Sequence, residues 1–190
     1  MTVYTSQNEL NFLLEHLNPS VDLLEYGSGG STVLLQDKVN SITSIEHDRA
    51  WYEEIKAKIK DTVNYYYVPP NNNDWEEQYD KNNRKNSKGD DGSFEDFAEY
   101  VTFPLKLNKK FDIIFVDGRA RLACAFISTF LLKDTGKLFI HDFGTHTSHP
   151  YLPYRTYYDD VFLWFNYFSH IESMHCFNLI TDEHKVNNNK

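Results

Sequence analysis

Cysteine, basic charge and long apolar runs are all scarce in this 190-residue sequence. The two cysteines, Cys124 and Cys176, lie far apart without metal-ligand spacing, which predicts buried, reduced thiols in a cytosol-like compartment. Nineteen Lys and Arg stand against 28 Asp and Glu, and the net charge of −9 argues against nucleic acid as a partner. No apolar run reaches about 18 residues and no signal peptide is recognisable, so we expect no membrane span and a cytoplasmic location.

The sequence is rich instead in apolar and aromatic residues, at 41% and 16% of the chain. A chain of this length and composition can bury a sizeable core, so residues 1–190 are predicted to form a single domain. One polar stretch, at about 71–93, interrupts the pattern with many Asn, Asp and Lys residues. A loop of that length is expected to be either a lid over a substrate or a mobile insertion.

Short apolar runs alternate with segments of helical periodicity. Strands are predicted at residues 21–25, 41–46, 63–68, 111–116 and 137–140, with one or two closing strands within 172–180. Helices are predicted at 6–17, 49–60, 120–132 and 154–165, and a turn at 134–136. This α/β alternation favours a Rossmann-like doubly wound sheet, mostly parallel, with helices on both faces and an antiparallel closing strand. Ligands of such sheets bind at the carboxyl ends of the strands.

A glycine-rich turn follows the first predicted strand and is the first candidate for a cofactor site. Its candidate cofactor-binding residues are Glu25, Tyr26, Gly27, Ser28, Gly29 and Ser31. Glycines let a ligand approach the backbone, and the start of the next helix offers free N–H groups. Thr32 stands where a dinucleotide fingerprint has a third glycine, and Glu25 would repel a pyrophosphate. A cationic cofactor such as S-adenosylmethionine suits this acidic turn better.

Polar residues also end the second predicted strand. Glu46 lies about 20 residues after the glycine turn, a spacing at which a carboxylate accepts hydrogen bonds from both ribose hydroxyls of a nucleoside cofactor. His47 follows it as a further cofactor-binding candidate, and Asp48 is predicted to cap the next helix.

The ends of the fourth and fifth predicted strands carry the candidate catalytic residues. Asp117 and Arg119 follow the fourth strand, and His141 and Asp142 follow the fifth. Asp117 is also a cofactor-binding candidate. A sulfonium activates its own methyl group, so the protein has only to align an acceptor and take up its proton. His141 is a candidate general base because imidazole titrates near neutral pH. The loop beyond, with His146, His149, Tyr151 and Tyr154, is expected to border the acceptor.

The motif EYGSGGS at 25–31 resembles the first motif of class I S-adenosylmethionine-dependent methyltransferases, and FDIIFVDG at 111–118 resembles the fourth strand of that family. The resemblance implies that Glu46 binds the ribose. More narrowly, VDGRARLACAF followed by FIHDF is similar to methyltransferases of surface-sugar synthesis, such as the glycan-methylating domain of a large DNA virus of the chlorella-virus type. That similarity implies a viral protein of the host cytoplasm, within a longer multidomain chain, acting on a sugar or oligosaccharide.

A resemblance to catechol-type O-methyltransferases raises the question of a metal. It implies that Asp117 and Asp142 hold a divalent ion, Mn²⁺ or Mg²⁺. That family places an amide ligand directly after the second carboxylate, where this chain has Phe143. His141 could replace that ligand.

Methyl transfer to a sugar hydroxyl is therefore the leading functional hypothesis. A small phenolic acceptor is the second. A non-catalytic cofactor-binding module of a glycan-synthesis protein remains an alternative from another class. An NAD-dependent oxidoreductase would need a pair such as Tyr52 and Lys56, which are predicted to lie on the wrong helix. Methylation of nucleic acid is disfavoured because no Asn-Pro-Pro-Tyr motif ends the fourth strand.

Overall fold

A computed structural model describes residues 5–71, 91–143 and 159–180. Seven strands form one sheet: β1 (Asp22–Tyr26), β2 (Ser41–Glu46), β3 (Asn64–Tyr67), β4 (Phe111–Val116), β5 (Leu132–Ile140), β6 (Phe165–Ile171) and β7 (Met174–Leu179). Their order is β3-β2-β1-β4-β5-β7-β6. The first five strands pair in parallel, and β7 runs antiparallel to both β5 and β6. The predicted Rossmann-like, mostly parallel sheet with an antiparallel C-terminal end is confirmed.

Helices cover both faces of this sheet. They are α1 (Gln7–Leu14), α2 (Gly30–Leu35), α3 (Arg49–Lys56), α4 (Phe94–Thr102) and α5 (Arg121–Leu131), with 3₁₀ turns at Phe103–Leu107 and Asp159–Leu163. Successive residues of β1 point to opposite faces. Leu24 packs with the core beneath α4 and α5, whereas Leu23 packs with the core beneath α1 and α2.

Two helices near the carboxyl ends of the strands, α1 and α3, begin with a side-chain cap. Ser6 and Glu9 form a capping box at the start of α1, in which each side chain bonds the backbone N–H of the other. Asp48 accepts a hydrogen bond from the Trp51 N–H at 2.9 Å and so caps α3, as predicted. None of the helices in the described ranges is long and apolar enough to cross a membrane.

Two predictions for the second half of the chain were wrong. The predicted turn at 134–136 lies inside β5, where the pairing with β4 shifts between Phe111↔Leu132 and Ile113↔Lys137. The extra residues form an irregularity within the strand instead of separating it from α5. Within the predicted helix at 154–165, Asp159–Leu163 form a 3₁₀ turn instead, and Phe165 begins strand β6. Residues 154–158 of that prediction lie outside the described ranges.

Candidate functional site

A cavity of about 600 Å³ opens at the carboxyl ends of β1, β2, β4 and β5. The glycine turn forms one side of it and the residues after β4 and β5 form the other. It is lined by Thr5, Gly27, Ser28, Gly29, Gly30, Ser31, Glu46, His47, Asp48, Trp51, Asp117, Gly118, Arg119, Arg121, His141 and Asp142. All four candidate catalytic residues therefore share one cavity with Glu46, His47 and most of the glycine turn.

Backbone hydrogen bonds hold the strand ends in register just beyond the sheet. The Gly27 N–H donates to the Ile45 carbonyl at 2.9 Å, and the Asp117 N–H donates to the Tyr26 carbonyl at 2.9 Å. The His141 N–H donates to the Val116 carbonyl at 3.0 Å. Asp117 and His141 are thereby placed side by side on neighbouring strands, as the parallel sheet predicts.

Two glycines make the floor of the cavity possible. Gly27 has a φ of +89°, and a Cβ there would lie 2.6 Å from the Gly118 backbone. Conversely, a Cβ on Gly118 would lie 3.1 Å from the Gly27 Cα and would overlap the Tyr100 hydroxyl. The ends of β1 and β4 can approach this closely only because both positions lack a side chain.

The structure places Glu25 and Tyr26 behind the glycine turn, and neither lines the cavity. Glu25 is fully buried and accepts hydrogen bonds from the Ser31, Ser44 and Thr32 hydroxyls at 2.5, 2.5 and 2.6 Å. Burial nevertheless raises the pKa of Glu25 to about 7, against the effect of these hydroxyls. The Tyr26 hydroxyl donates to the Val101 carbonyl at 2.8 Å, away from the turn.

Glu46 organises the cofactor side of the cavity. One carboxylate oxygen accepts hydrogen bonds from the Ser28 N–H at 2.8 Å and the Ser28 hydroxyl at 2.7 Å, and the other accepts from the N–H groups of His47 and Asp48, each at 2.8 Å. Burial alone would raise the pKa of Glu46, but the hydrogen bond and charge of His47 and the further donors hold it below its ordinary value. Glu46 is therefore a fixed carboxylate that ties β2 to the glycine turn.

Trp51 closes the same side of the cavity. Its indole N–H donates to the Ser28 carbonyl at 2.6 Å, so the ring is fixed against the turn. The candidate oxidoreductase pair lies elsewhere on α3. The Lys56 ammonium stands 5.3 Å from the Tyr52 ring centroid, and neither residue lines the cavity.

On the other side, the His141 imidazole bridges two carboxylates. Nδ1 lies 2.7 Å from Asp117 Oδ1, and Nε2 lies 3.3 Å from Glu9 Oε2. Burial opposes the charged form, but the hydrogen bond and charge of Asp117, with the charges of Asp142 and Glu9, raise the pKa of His141 to about 9. At neutral pH the ring is thus an imidazolium with both nitrogens donating. The role of His141 as general base stays a prediction, and it would require the ring to lose this proton first.

Glu9 was not predicted as part of this arrangement. It is 3% exposed, and its other oxygen accepts hydrogen bonds from the Ser173 N–H at 2.9 Å and the Ser173 hydroxyl at 2.6 Å. The capping-box pattern Ser6-x-x-Glu9 could have indicated the helix start. The sequence carries no signal that α1 brings this carboxylate to the strand ends.

Arg121 is the second functional candidate absent from the prediction. It opens α5, and its guanidinium lies 3.0 Å from Asp91, 3.4 Å from Asp142 and 4.0 Å from Asp117. Burial raises the pKa of Asp91 above its ordinary value, and the Arg121 charge opposes that rise. Asp117 and Asp142, with His141, offer ligand atoms within 4.8 Å of one another.

Other sequence predictions fall outside the described ranges. The acceptor-loop residues His146, His149, Tyr151 and Tyr154 do so, as does most of the polar stretch at 71–93.

No protein-family model and no curated protein matches the chain. Several solved structures with the same fold are methyltransferases by description. A methyltransferase-like protein from Silicibacter pomeroyi is 21% identical, with a TM-score of 0.66, over 98% of this chain and 94% of that one. A candidate caffeoyl-CoA O-methyltransferase from Staphylococcus aureus is 13% identical, with a TM-score of 0.55, over 94% and 86%. A 16S rRNA methyltransferase of T. thermophilus, solved with AdoMet and guanosine, is 16% identical, with a TM-score of 0.58, over 95% of this chain and 44% of that one. At these identities, the comparisons establish the methyltransferase type of Rossmann-like fold.

Proposed function

We propose that this protein is an S-adenosylmethionine-dependent O-methyltransferase that acts on a sugar hydroxyl. The observation that carries the proposal is the cavity itself, in which the glycine turn and Glu46 face Asp117, His141 and Asp142. One half suits an adenosyl cofactor and the other suits a hydroxyl that must lose its proton. The methyltransferases of the same fold, one of them solved with AdoMet, support this cofactor.

The cofactor half of the cavity suits the ribose, the methionine part and the sulfonium of the cofactor. We assign the ribose hydroxyls to Glu46, whose carboxylate is ionised and tied to Ser28. The glycine turn leaves room for the methionine part. The cationic sulfonium would stand near Asp117, because Glu25 lies behind the turn and is partly neutral near pH 7. The attraction for the positive cofactor therefore comes from carboxylates that line the cavity.

The acceptor half favours a sugar over a flat phenol. Its lining consists of Thr5, Asp117, Arg119, Arg121, His141 and Asp142, with no Phe, Tyr or Trp side chain among the described residues. Carboxylates and guanidinium groups hydrogen-bond the several hydroxyls of a sugar, whereas a phenol ring needs apolar walls. The similarity of 116–126 and 139–143 to viral glycan-methylating domains supports the same acceptor class. A viral origin would place the enzyme in the host cytoplasm, and it would be part of a longer chain.

We assign removal of the acceptor's proton to a carboxylate of the protein. Asp117 and Asp142 line the cavity, and the hydroxyl becomes much more acidic as its oxygen bonds to the methyl carbon. His141 already carries its proton, so it holds Asp117 in place through the 2.7 Å hydrogen bond. We assign Arg119 to positioning of the acceptor at the rim.

Calorimetry tests the cofactor assignment. S-adenosylmethionine and S-adenosylhomocysteine should bind and NAD⁺ should not. Glu46→Gln should weaken binding by about tenfold or more, because charge-assisted hydrogen bonds to the ribose are lost. Glu53→Gln on the exposed face of α3 is the matched control. Binding of NAD⁺ alone would refute the proposal.

A transfer assay tests the acceptor. Labelled methyl groups from S-adenosylmethionine should appear on members of a panel of defined mono- and oligosaccharides, and Asp117→Asn should abolish the transfer. The panel should include catechol and caffeoyl thioesters, because the Staphylococcus aureus neighbour points to that second candidate. Transfer to phenols without transfer to sugars would move the assignment to the second candidate. Cofactor binding without any transfer would favour a non-catalytic module.

A further inference from the structure

The two carboxylates at the centre of the site already lie between the His141 imidazole and the Arg121 guanidinium. His141 Nδ1 is 2.7 Å from Asp117 and 3.8 Å from Asp142. Arg121 Nη2 is 3.4 Å from Asp142 and 4.0 Å from Asp117. The two carboxylates therefore alternate with the imidazole and the guanidinium around a small square. Arg121 gives both carboxylates a positive partner without any added ion.

A divalent metal does not fit this donor set. The candidate ligand atoms lie close enough together for one ion, within 4.8 Å. However, Nδ1 of His141 is engaged with Asp117, and a metal ligand must present a lone pair in place of a proton. The Arg121 guanidinium lies 3.4 Å from Asp142 and 4.0 Å from Asp117, so an ion held by these carboxylates would face a fixed positive charge. Repulsion between a divalent and a monovalent cation at such a distance is large at any realistic protein dielectric.

Arg121 is fixed in this position by a residue from outside the square. Asp91 accepts one hydrogen bond from the Arg121 guanidinium at 3.0 Å and another from the Arg121 backbone N–H at 2.9 Å. The Asp91 carbonyl also accepts a hydrogen bond from the Ala120 N–H at 2.5 Å. Asp91 is 4% exposed and Arg121 9% exposed, so solvent does not compete for this pair. The guanidinium cannot swing away to admit a metal without breaking a buried, two-point contact.

We propose that Arg121, positioned by Asp91, is the resident cation of this site, and that it occupies the electrostatic role that a divalent metal plays in catechol-type O-methyltransferases. Arg121 is a positioning residue, since it acts through Asp142 and Asp117. Its ion pairs hold both carboxylates on the acceptor side of the cavity. The inference rests on the proposed methyltransferase function for its activity readout only, because metal binding is measured independently.

The test is a titration of the protein with Mn²⁺, followed by electron paramagnetic resonance of the free ion. Wild type should show no stoichiometric site below about 1 mM, whereas Arg121→Gln should gain one, at least about tenfold tighter, because the repelling charge is gone. Lys106→Gln, a charge-matched change at an exposed ion pair, should behave as wild type. Adding Asp117→Asn to the Arg121 variant should abolish the gained site, which locates it. A merely structural role for Arg121 predicts no gain in metal affinity.

Arg121→Gln leaves a buried carboxylate without its partner, so the double variant Arg121→Gln/Asp91→Asn is the companion. It removes both charges and retains hydrogen-bonding groups of similar size. Absence of a Mn²⁺ site in the folded double variant would overturn the proposal. So would one tightly bound Mn²⁺ in wild type, or loss of wild-type methyl transfer in EDTA that Mn²⁺ restores. If no transfer occurs at all but the Mn²⁺ results are as expected, the proposed function fails while the electrostatic assignment stands.

Discussion

A prediction at Glu25 distinguishes a cofactor-binding role of this residue from a buried, structural one. A side chain that attracts the cofactor should be ionised and exposed to the cavity, but the structure buries Glu25 under three hydroxyl groups. Replacing Glu25 by glutamine keeps the shape of the side chain and its capacity for hydrogen bonds. The replacement removes only the ionisable carboxyl group. The hydroxyls of Ser31, Thr32 and Ser44 can rotate to donate to the amide oxygen or accept from its nitrogen.

The size of the effect follows from the raised pKa. The Glu25 carboxyl has a pKa near 4.5 in the unfolded chain and about 7 in the folded protein. Below pH 4.5 both states are protonated and burial carries no electrostatic penalty. Between these values only the unfolded state loses its proton, so wild-type stability falls as pH rises, and the full penalty persists above pH 7. At about 1.4 kcal/mol per pKa unit, the raised pKa lowers the free energy of unfolding by about 3 kcal/mol. About 2.5 kcal/mol of that loss appears between pH 5 and 8.

Urea unfolding, followed by tryptophan fluorescence at several pH values from 5 to 8, measures this difference. The stability of Glu25→Gln relative to wild type should rise by about 2.5 kcal/mol across that range. Glu53→Gln, an exposed carboxylate on α3, controls for the loss of one negative charge. If the curves of Glu25→Gln and wild type run parallel, Glu25 is ionised throughout and the reasoning from its burial is wrong.

Two further predictions concern packing and the buried network. Gly118→Ala should cost about 2 kcal/mol or more in urea unfolding, because its Cβ would overlap the Tyr100 hydroxyl. Tyr100→Phe should cost under about 1 kcal/mol, since that hydroxyl lacks a hydrogen-bond partner among the described residues, and the double variant should recover part of the loss. Glu9→Gln should destabilise by about 1–3 kcal/mol, because an amide cannot replace every acceptor contact of the carboxylate, whereas exposed Glu15→Gln should be neutral. Additive Gly118 and Tyr100 effects, or equal Glu9 and Glu15 effects, would contradict these expectations.

The parallel half of the fold was predictable because its strands are short apolar runs separated by helical segments. The range Phe111–Val116 was predicted to the residue, since the run is apolar apart from Asp112 and the polar Asp117 ends it. The chain around 134–136 was not, because Asp, Thr and Gly there also suit a turn. Pairing with β4 holds these residues within β5, and local propensity carries no information on that pairing. Strand Phe165–Ile171 was not predicted: its first residue was assigned to a helix, and the others carried no prediction.

The same distinction between local and long-range information explains which residues of the site could be predicted. Residues directly after parallel strands meet at one edge of the sheet, so Glu46, Asp117, His141 and Asp142 could be grouped from their positions alone. Glu9 and the pair of Asp91 and Arg121 reach that edge through contacts between segments distant in sequence. Those contacts set the charges, with an imidazolium between two carboxylates and a fixed guanidinium beside them. Residue identities along the chain predict where chemistry can occur. Which of those groups carries a proton depends on neighbours that only the folded protein brings together.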